Sequence, residues 1–410
     1  MSLVVQKYGG TSVADPDRIS RVAKRVVATR TAGHDVLVVV SAMGHTTDEL
    51  IDLALSVNSS PPARELDMLL TAGERISMAL MAMAIEAHGA QAVSFTGSQA
   101  GILTDASHGA AKILDIRGTR VRDGLAAGKV VIVAGFQGVD PASKEVTTLG
   151  RGGSDATAMA LASALDAEVC EIYSDVDGVF TADPHMVPHA RKLAEISYEE
   201  MLELSAAGAK VVMARAVEVG RRFNIPIHVR SSFGESEGTW VKESTMEQAI
   251  ISGIAHDISE AKLTVRGVPD RPGVAAALFE PLAQQGVNVD MIVQNSSHDG
   301  STDISFTVPR SAASQAEEVA ALVAEAVGAA GVDVDADVAK VSLVGAGMKS
   351  HPGVAARVFR ALADAGINIE MISTSTIRVS CVVRGGMVEE AVRALHAEFD
   401  PPLIESEVGA

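Results

Sequence analysis

Lys7-Tyr8-Gly9-Gly10-Thr11-Ser12 sets one ammonium, two glycines and two hydroxyls where an apolar strand gives way to a helix. Paired glycines let backbone N–H groups approach an anion closely, and a helix start aims more N–H groups the same way. The lysine adds a full positive charge, so the segment reads as a phosphate cradle. A second cluster, Gly150-Arg151-Gly152-Gly153-Ser154-Asp155, also follows a strand and opens a helix. Its arginine fork suits a carboxylate, and its aspartate suits the positive end of a helix dipole. Neither cluster has the GxxxxGK[ST] spacing of a P-loop, and no protein-kinase catalytic loop is present. Glu74 follows Gly73 inside a helical run rich in Met, Leu and Ala, whose Met78, Met81 and Met83 read as core packing. The histidines lack ligand spacing, and no metal site is expected.

The elements that must hold these residues read as alternating strands and helices. Strands are expected at residues 3–7, 36–41, 92–95, 130–135, 169–173 and 226–230, with amphipathic helices between them, among them 64–88 and 154–165. Near-continuous apolar strands separated by helices predict a parallel sheet covered on both faces, with ligands beyond the carboxyl ends of the strands. The 410 residues suffice for two or three domains. Hydrophobic residues make up 47% and aromatics only 3%, so Ala, Val, Ile, Leu and Met build the core. The net charge of −18 disfavours nucleic acid as a partner. Cys170 and Cys381 sit in apolar runs and read as buried thiols of a cytoplasmic protein. No secretory signal is visible, the apolar runs are of strand length, and no membrane segment is expected.

A Gly-rich polar stretch at 233–238 marks a boundary, and the chain then repeats itself. Pro269-Asp270-Arg271-Pro272-Gly273-Val274 recurs as Lys349-Ser350-His351-Pro352-Gly353-Val354, and Gly286-Val287-Asn288-Val289-Asp290 as Gly366-Ile367-Asn368-Ile369-Glu370. Two copies of one small α/β unit therefore lie in tandem. The expected domains are 1–245, 246–335 and 336–410. The Pro-Gly pairs suggest helix starts able to take an effector's carboxylate, with proline in the first helical turn.

Four motifs together resemble the amino-acid kinase superfamily and, within it, the aspartate kinases: Lys7 to Ser12, Ala72-Gly73-Glu74-Arg75, Thr148 to Asp155, and Ser174-Asp175-Val176-Asp177-Gly178-Val179-Phe180-Thr181-Ala182-Asp183-Pro184. The resemblance covers essentially the whole chain. It implies a three-layer α/β/α sandwich followed by two ferredoxin-like ACT domains. It implies phosphorylation of the L-aspartate side chain by MgATP, with Lys7 on the transferring phosphoryl group, Asp155 orienting Lys7, and Arg151 gripping a substrate carboxylate. Thr47, Glu74, Gly152, Gly153 and Ser154 would also meet substrate, Glu74 through its ammonium. Tyr8, Gly9, Gly10, Ser41, Ser174, Asp175, Phe180, Asp183 and Lys210 match nucleotide-binding positions; relatives often carry tyrosine at the position of Phe180. Removing Lys7 should abolish turnover and leave folding intact.

The resemblance further implies feedback by lysine, alone or with threonine. Asp270, Asn288, Val289, Asp290, Gln294, His351, Val354, Asn368, Ile369 and Thr374 would touch effector. Residues 249–258 would join the second ACT sheet, and the chain would form a homo-oligomer or an α2β2 assembly with a shorter subunit begun at Met246. Alternatives are a superfamily kinase for acetylglutamate, glutamate or UMP, which lack the tandem tail, and a non-catalytic amino-acid sensor.

Overall fold

The computed structural model describes residues 2–243, 250–295 and 300–399. The chain forms two compact units. One comprises Met1–Val179, Lys192–Ser205 and Lys210–Thr245; the other comprises Phe180–Arg191, Ala206–Ala209 and Met246–Ala410. Met246, and residue 249 of the expected pairing segment, lie outside the described residues.

The first unit is built on an eight-stranded sheet ordered Glu195–Ser197, Thr239–Lys242, Ile227–Ser231, Val169–Ser174, Leu3–Tyr8, Asp35–Val40, Val130–Ala134 and Ala92–Phe95. Every pairing is parallel except that between Ile227–Ser231 and Thr239–Lys242. Val36 through Val40 and Val130 through Ala134 are buried at every residue, so the two-residue alternation of a half-exposed strand disappears. Six of these strands coincide with the expected ones. Glu195–Ser197 and Thr239–Lys242, and a separate four-stranded sheet of three- and four-residue strands, are too short to show a period in sequence.

The helix Ala63–Ala87 corrects two expectations. With 25 residues it is long and apolar enough, by length and composition, to cross a membrane. Its apolar residues, however, are divided between two faces. Asp67, Thr71, Glu74 and Ser77 are buried at helical spacing on the inward face, while Ile76 and Met83 are more than half exposed. Polar groups pointing inward mark a helix that lines a site inside a folded unit. Met81 is core, but Met83 is not.

The second unit holds two four-stranded antiparallel sheets, each with two helices. One sheet runs Ile292–Gln294, Ser301–Pro309, Glu260–Pro269, Gly331–Asp335; the other runs Gly253–Asp257, Val338–Val344, Arg378–Arg384, Met371–Thr374. The segment Gly253–Asp257, which precedes the first repeat, thus pairs with Val338–Val344 of the second. Met291, Val293, Val338, Met371 and Val382 share one apolar cluster drawn from both sheets. Gly273 and Gly353, with φ of 92° and 97°, are the residues from which the helices Val274–Gln284 and Val354–Asp364 start. Each proline therefore lies two residues before its helix, not in the first turn, and the glycine between supplies the left-handed conformation. Phe180–Arg191 joins this unit: the Ile254 N–H donates to the Thr181 carbonyl at 2.8 Å, and Thr181 Oγ1 bonds His396 Nε2 at 2.9 Å.

Candidate active site

Alternation along Leu3–Tyr8 decides which side chains reach the site. Lys7 leaves one face of the sheet; Gln6 and Tyr8 leave the other. On the Lys7 side, the helix Gly153–Ala164 brings Asp155 into its first turn, and Lys7 Nζ stands 2.6 Å from Asp155 Oδ1. The side chains are 12% and 8% exposed. Asp155 Oδ2 also accepts the Met213 N–H at 3.3 Å. Removing Lys7 alone would leave Asp155 as a buried charge without its cation, at a cost to stability.

The turn at residues 41–44, at the carboxyl end of Asp35–Val40, gathers the remaining groups. Ser41 Oγ donates to Ser154 Oγ at 3.0 Å. The Gly44 N–H donates to the Gly10 carbonyl at 3.0 Å, and a Cβ on Gly10 would stand 2.9 Å from the Gly44 oxygen. Glu74 Oε1 accepts the Ala42 N–H at 3.1 Å. A Cβ on Gly73 would stand 2.7 Å from Ala42 Cβ, so glycine is what lets this helix approach the turn. Glu74 is 3% exposed, and its Oε2 is buried with no hydrogen-bond partner among the described residues. Burial pushes its carboxyl up to about 7, against the opposing pull of the Ala42 N–H.

Gly152, with φ of 69°, is the residue from which the helix Gly153–Ala164 starts, and a Cβ there would meet Met213 Cγ at 2.0 Å. Arg151 is exposed and forms no ion pair among the described residues. Thr47 is half-buried at the second position of the helix Thr46–Val57. Ser174 Oγ accepts the Val176 N–H at 3.2 Å, and Asp175 and Lys210 are exposed.

The other assigned side chains have these surroundings. Tyr8 is fully buried on the face opposite Lys7, stacked on Tyr173 at 4.6 Å and donating to Gln6 Oε1 at 3.3 Å. Its phenol is pushed well up by burial. Phe180 and Asp183 belong to the second unit, where Asp183 Oδ1 accepts the His185 N–H at 2.9 Å and closes a turn. Among the effector positions, Val354 is core, and Val289 and Ile369 pack against cores. Asp290 forms an ion pair with Lys340, which also meets Glu260 at 2.6 Å. Its repeat counterpart Glu370 pairs with Lys262 and with Arg384 Nε at 2.7 Å. Burial pulls the Lys340 ammonium down, but Glu260 and Asp290 more than offset it and its pKa is raised. Asp290 therefore ties the two ACT sheets together. Asp270, Asn288, Gln294, His351, Asn368 and Thr374 are exposed, with His351 Nδ1 bonded to the Gly347 carbonyl at 2.8 Å.

The sequence reading passed over Glu171, which lies beside Gln6 in register. It accepts from Gln6 Nε2 at 2.7 Å, from Arg230 Nη1 at 3.0 Å and from the Tyr173 hydroxyl at 3.1 Å. This buried network fixes the strands whose ends carry Lys7 and Ser174. An acid inside an otherwise apolar strand was its signal.

A basic strand end facing a glycine-bounded helix start, beyond a parallel sheet, suits a small anionic ligand. The amino acid kinase family model matches residues 2–231, and an ACT domain model matches 263–321 and 341–399. The chain is 60% identical over 405 residues to the aspartokinase of Mycolicibacterium smegmatis, spanning 97% of this chain and 96% of that protein. It is 57% identical to the aspartokinase of Corynebacterium glutamicum over the same shares. Among solved structures it is similar to E. coli aspartokinase III in complex with aspartate and ADP, with a TM-score of 0.84, 26% identity, and coverage of 97% and 100%. The same enzyme with lysine and aspartate gives a TM-score of 0.73. The chain belongs to the aspartokinases of the amino acid kinase family.

Proposed function

We propose that this chain transfers the γ-phosphoryl group of MgATP to the side-chain carboxylate of L-aspartate, giving 4-phospho-L-aspartate. The observation that carries the reading is the turn at 41–44, which touches Gly10, Ser154 and Glu74 and so gathers phosphate-side and substrate-side groups around one strand end. The aspartate complex named for the E. coli relative supports the same substrate.

The acceptor carboxylate has a pKa near ~4 and is already an anion at neutral pH, so no general base is needed. The task is to bring two anions together in line and offset their repulsion. Lys7 holds the transferring phosphoryl group, oriented by Asp155. The N–H groups of Gly9 and Gly10 take phosphate charge, and the helix start at Gly152, Gly153 and Ser154 takes negative charge on the substrate side. Arg151 grips an aspartate carboxylate through its fork. The unpartnered Glu74 Oε2 accepts the substrate ammonium, and Thr47 lies on the neighbouring helix. Ser41, Ser174, Asp175 and Lys210 are the nucleotide-side groups of this unit. Magnesium enters on the nucleotide, held chiefly by phosphate oxygens and water as that ion prefers.

The product feeds synthesis of lysine, threonine and methionine, and lysine, alone or with threonine, inhibits through the ACT domains; the lysine complex of the E. coli relative supports this. A homo-oligomer, or an α2β2 assembly with a shorter regulatory subunit, in the cytoplasm completes the reading. Trapping of acyl phosphate with hydroxylamine tests it. Aspartate should yield hydroxamate with MgATP, whereas turnover of glutamate or UMP in its place would refute the assignment. Calorimetric titration with lysine and threonine tests the regulation, and heat from neither would remove it.

A further inference from the structure

Asp67 is 1% exposed and lies on the buried face of the helix Ala63–Ala87, seven residues before Glu74. Seven residues are close to two helical turns, so the two carboxylates share one face. Asp67 makes no contact with Lys7 or Glu74; it reaches across to the strand that leads into the glycine cluster. Its Oδ1 accepts the Thr148 hydroxyl at 2.6 Å and the Gly109 N–H at 3.0 Å. Its Oδ2 accepts the Thr148 N–H at 3.1 Å, and His108 Nδ1 lies 2.7 Å from it with the ring nitrogen donating. Four donors thus converge on one carboxylate. Thr148 is buried, so its hydroxyl and N–H would both be orphaned without it, while His108 and Gly109 close the site toward solvent. The two segments it holds also meet each other: the Ala111 N–H donates to the Thr148 carbonyl at 2.9 Å, and a Cβ on Gly150 would stand 3.0 Å from the Gly109 carbonyl.

We infer that Asp67 is a positioning residue that sets the Leu149–Gly152 loop, and with it Arg151, at a fixed distance from Glu74. This rests on the reading above, in which Arg151 and Glu74 hold opposite ends of the substrate amino acid. The groups proposed for the phosphates, Lys7, Gly9 and Gly10, lie on a different element. Loosening Asp67 should therefore weaken aspartate more than ATP.

The test is steady-state kinetics of hydroxamate formation with Asp67→Asn and Thr148→Val, each varied in aspartate and in ATP. In Asp67→Asn an amide nitrogen replaces one acceptor and faces donors. Displacement of a binding group by about 1 Å costs up to a hundredfold, so a rise in aspartate KM of roughly tenfold is expected. The ATP KM should stay within about twofold, because none of its proposed contacts moves. Thr148→Val removes one donor and should show the same split more weakly; Thr148→Ser should restore wild-type values. If Asp67→Asn does not fold, the Thr148 pair carries the test. Equal changes in both KM values, or no change in either, would overturn the inference. Absence of hydroxamate from the wild type would instead overturn the substrate assignment.

Discussion

Glu74 should make aspartate binding depend on pH across neutrality. Its carboxyl is raised from 4.5 to about 7 because burial penalises the ionised form. The folded chain therefore binds this proton more tightly than the unfolded chain. Stability from this group is complete below about pH 4.5 and falls as pH rises to about 7, by about 3 kcal/mol for a shift of that size. Substrate reverses the preference, since an ammonium at Oε2 requires the carboxylate. One unit below the pKa only about a tenth of the free enzyme is ionised, so aspartate KM should be about tenfold higher at pH 6 than at pH 8. The assay is hydroxamate formation against aspartate at saturating MgATP across that range, for wild type and Glu74→Gln. The variant should show a high KM without the pH slope, and its urea unfolding free energy should lack the decline that the wild type shows toward alkaline pH. A wild-type KM flat from pH 6 to 8, or the same slope in Glu74→Gln, would refute the reasoning.

Other expectations follow from packing and charge. Lys7→Ala should abolish turnover and lower stability by roughly 3 kcal/mol, because Asp155 is left buried and unpaired; Lys7→Ala with Asp155→Ala should recover most of that stability without activity, as read by urea unfolding. Gly152→Ala should cost about 1–3 kcal/mol through its positive φ and its contact with Met213, and Met213→Ala should relieve part of the loss. Lys340→Met should destabilise the second unit by roughly 3 kcal/mol, since Glu260 and Asp290 both lose their partner; a double change that also neutralises Glu260 should cost less than the sum of the single changes.

The strand ends and glycine clusters were legible because a parallel sheet writes itself as apolar runs and places its chemistry where the runs stop. The tandem repeat was legible because both copies kept their spacing. Alternation along the first strand forbids Lys7 and Tyr8 from sharing a face, so the burial of the Tyr8 side chain opposite Lys7 was legible too. Asp67 and the Lys340 ion pairs were not legible, and Glu171 was signalled only as an acid in an apolar strand, without its partners. Asp67 meets residues 41 to 81 positions away, and Lys340 meets residues 50 and 80 positions away. No local pattern encodes such partners. The inward polar face of Ala63–Ala87 hid for a related reason: its apolar residues are spread over both faces, and composition alone made it resemble an ordinary core helix.

The most direct measurement is a crystal structure with L-aspartate and a non-hydrolysable ATP analogue. The terminal phosphorus should lie beside the Lys7 ammonium, with the substrate amine at Glu74 Oε2 and its side-chain carboxylate in line with the phosphorus. An analogue bound away from the turn at 41–44, or aspartate with its amine far from Glu74, would contradict the proposed site.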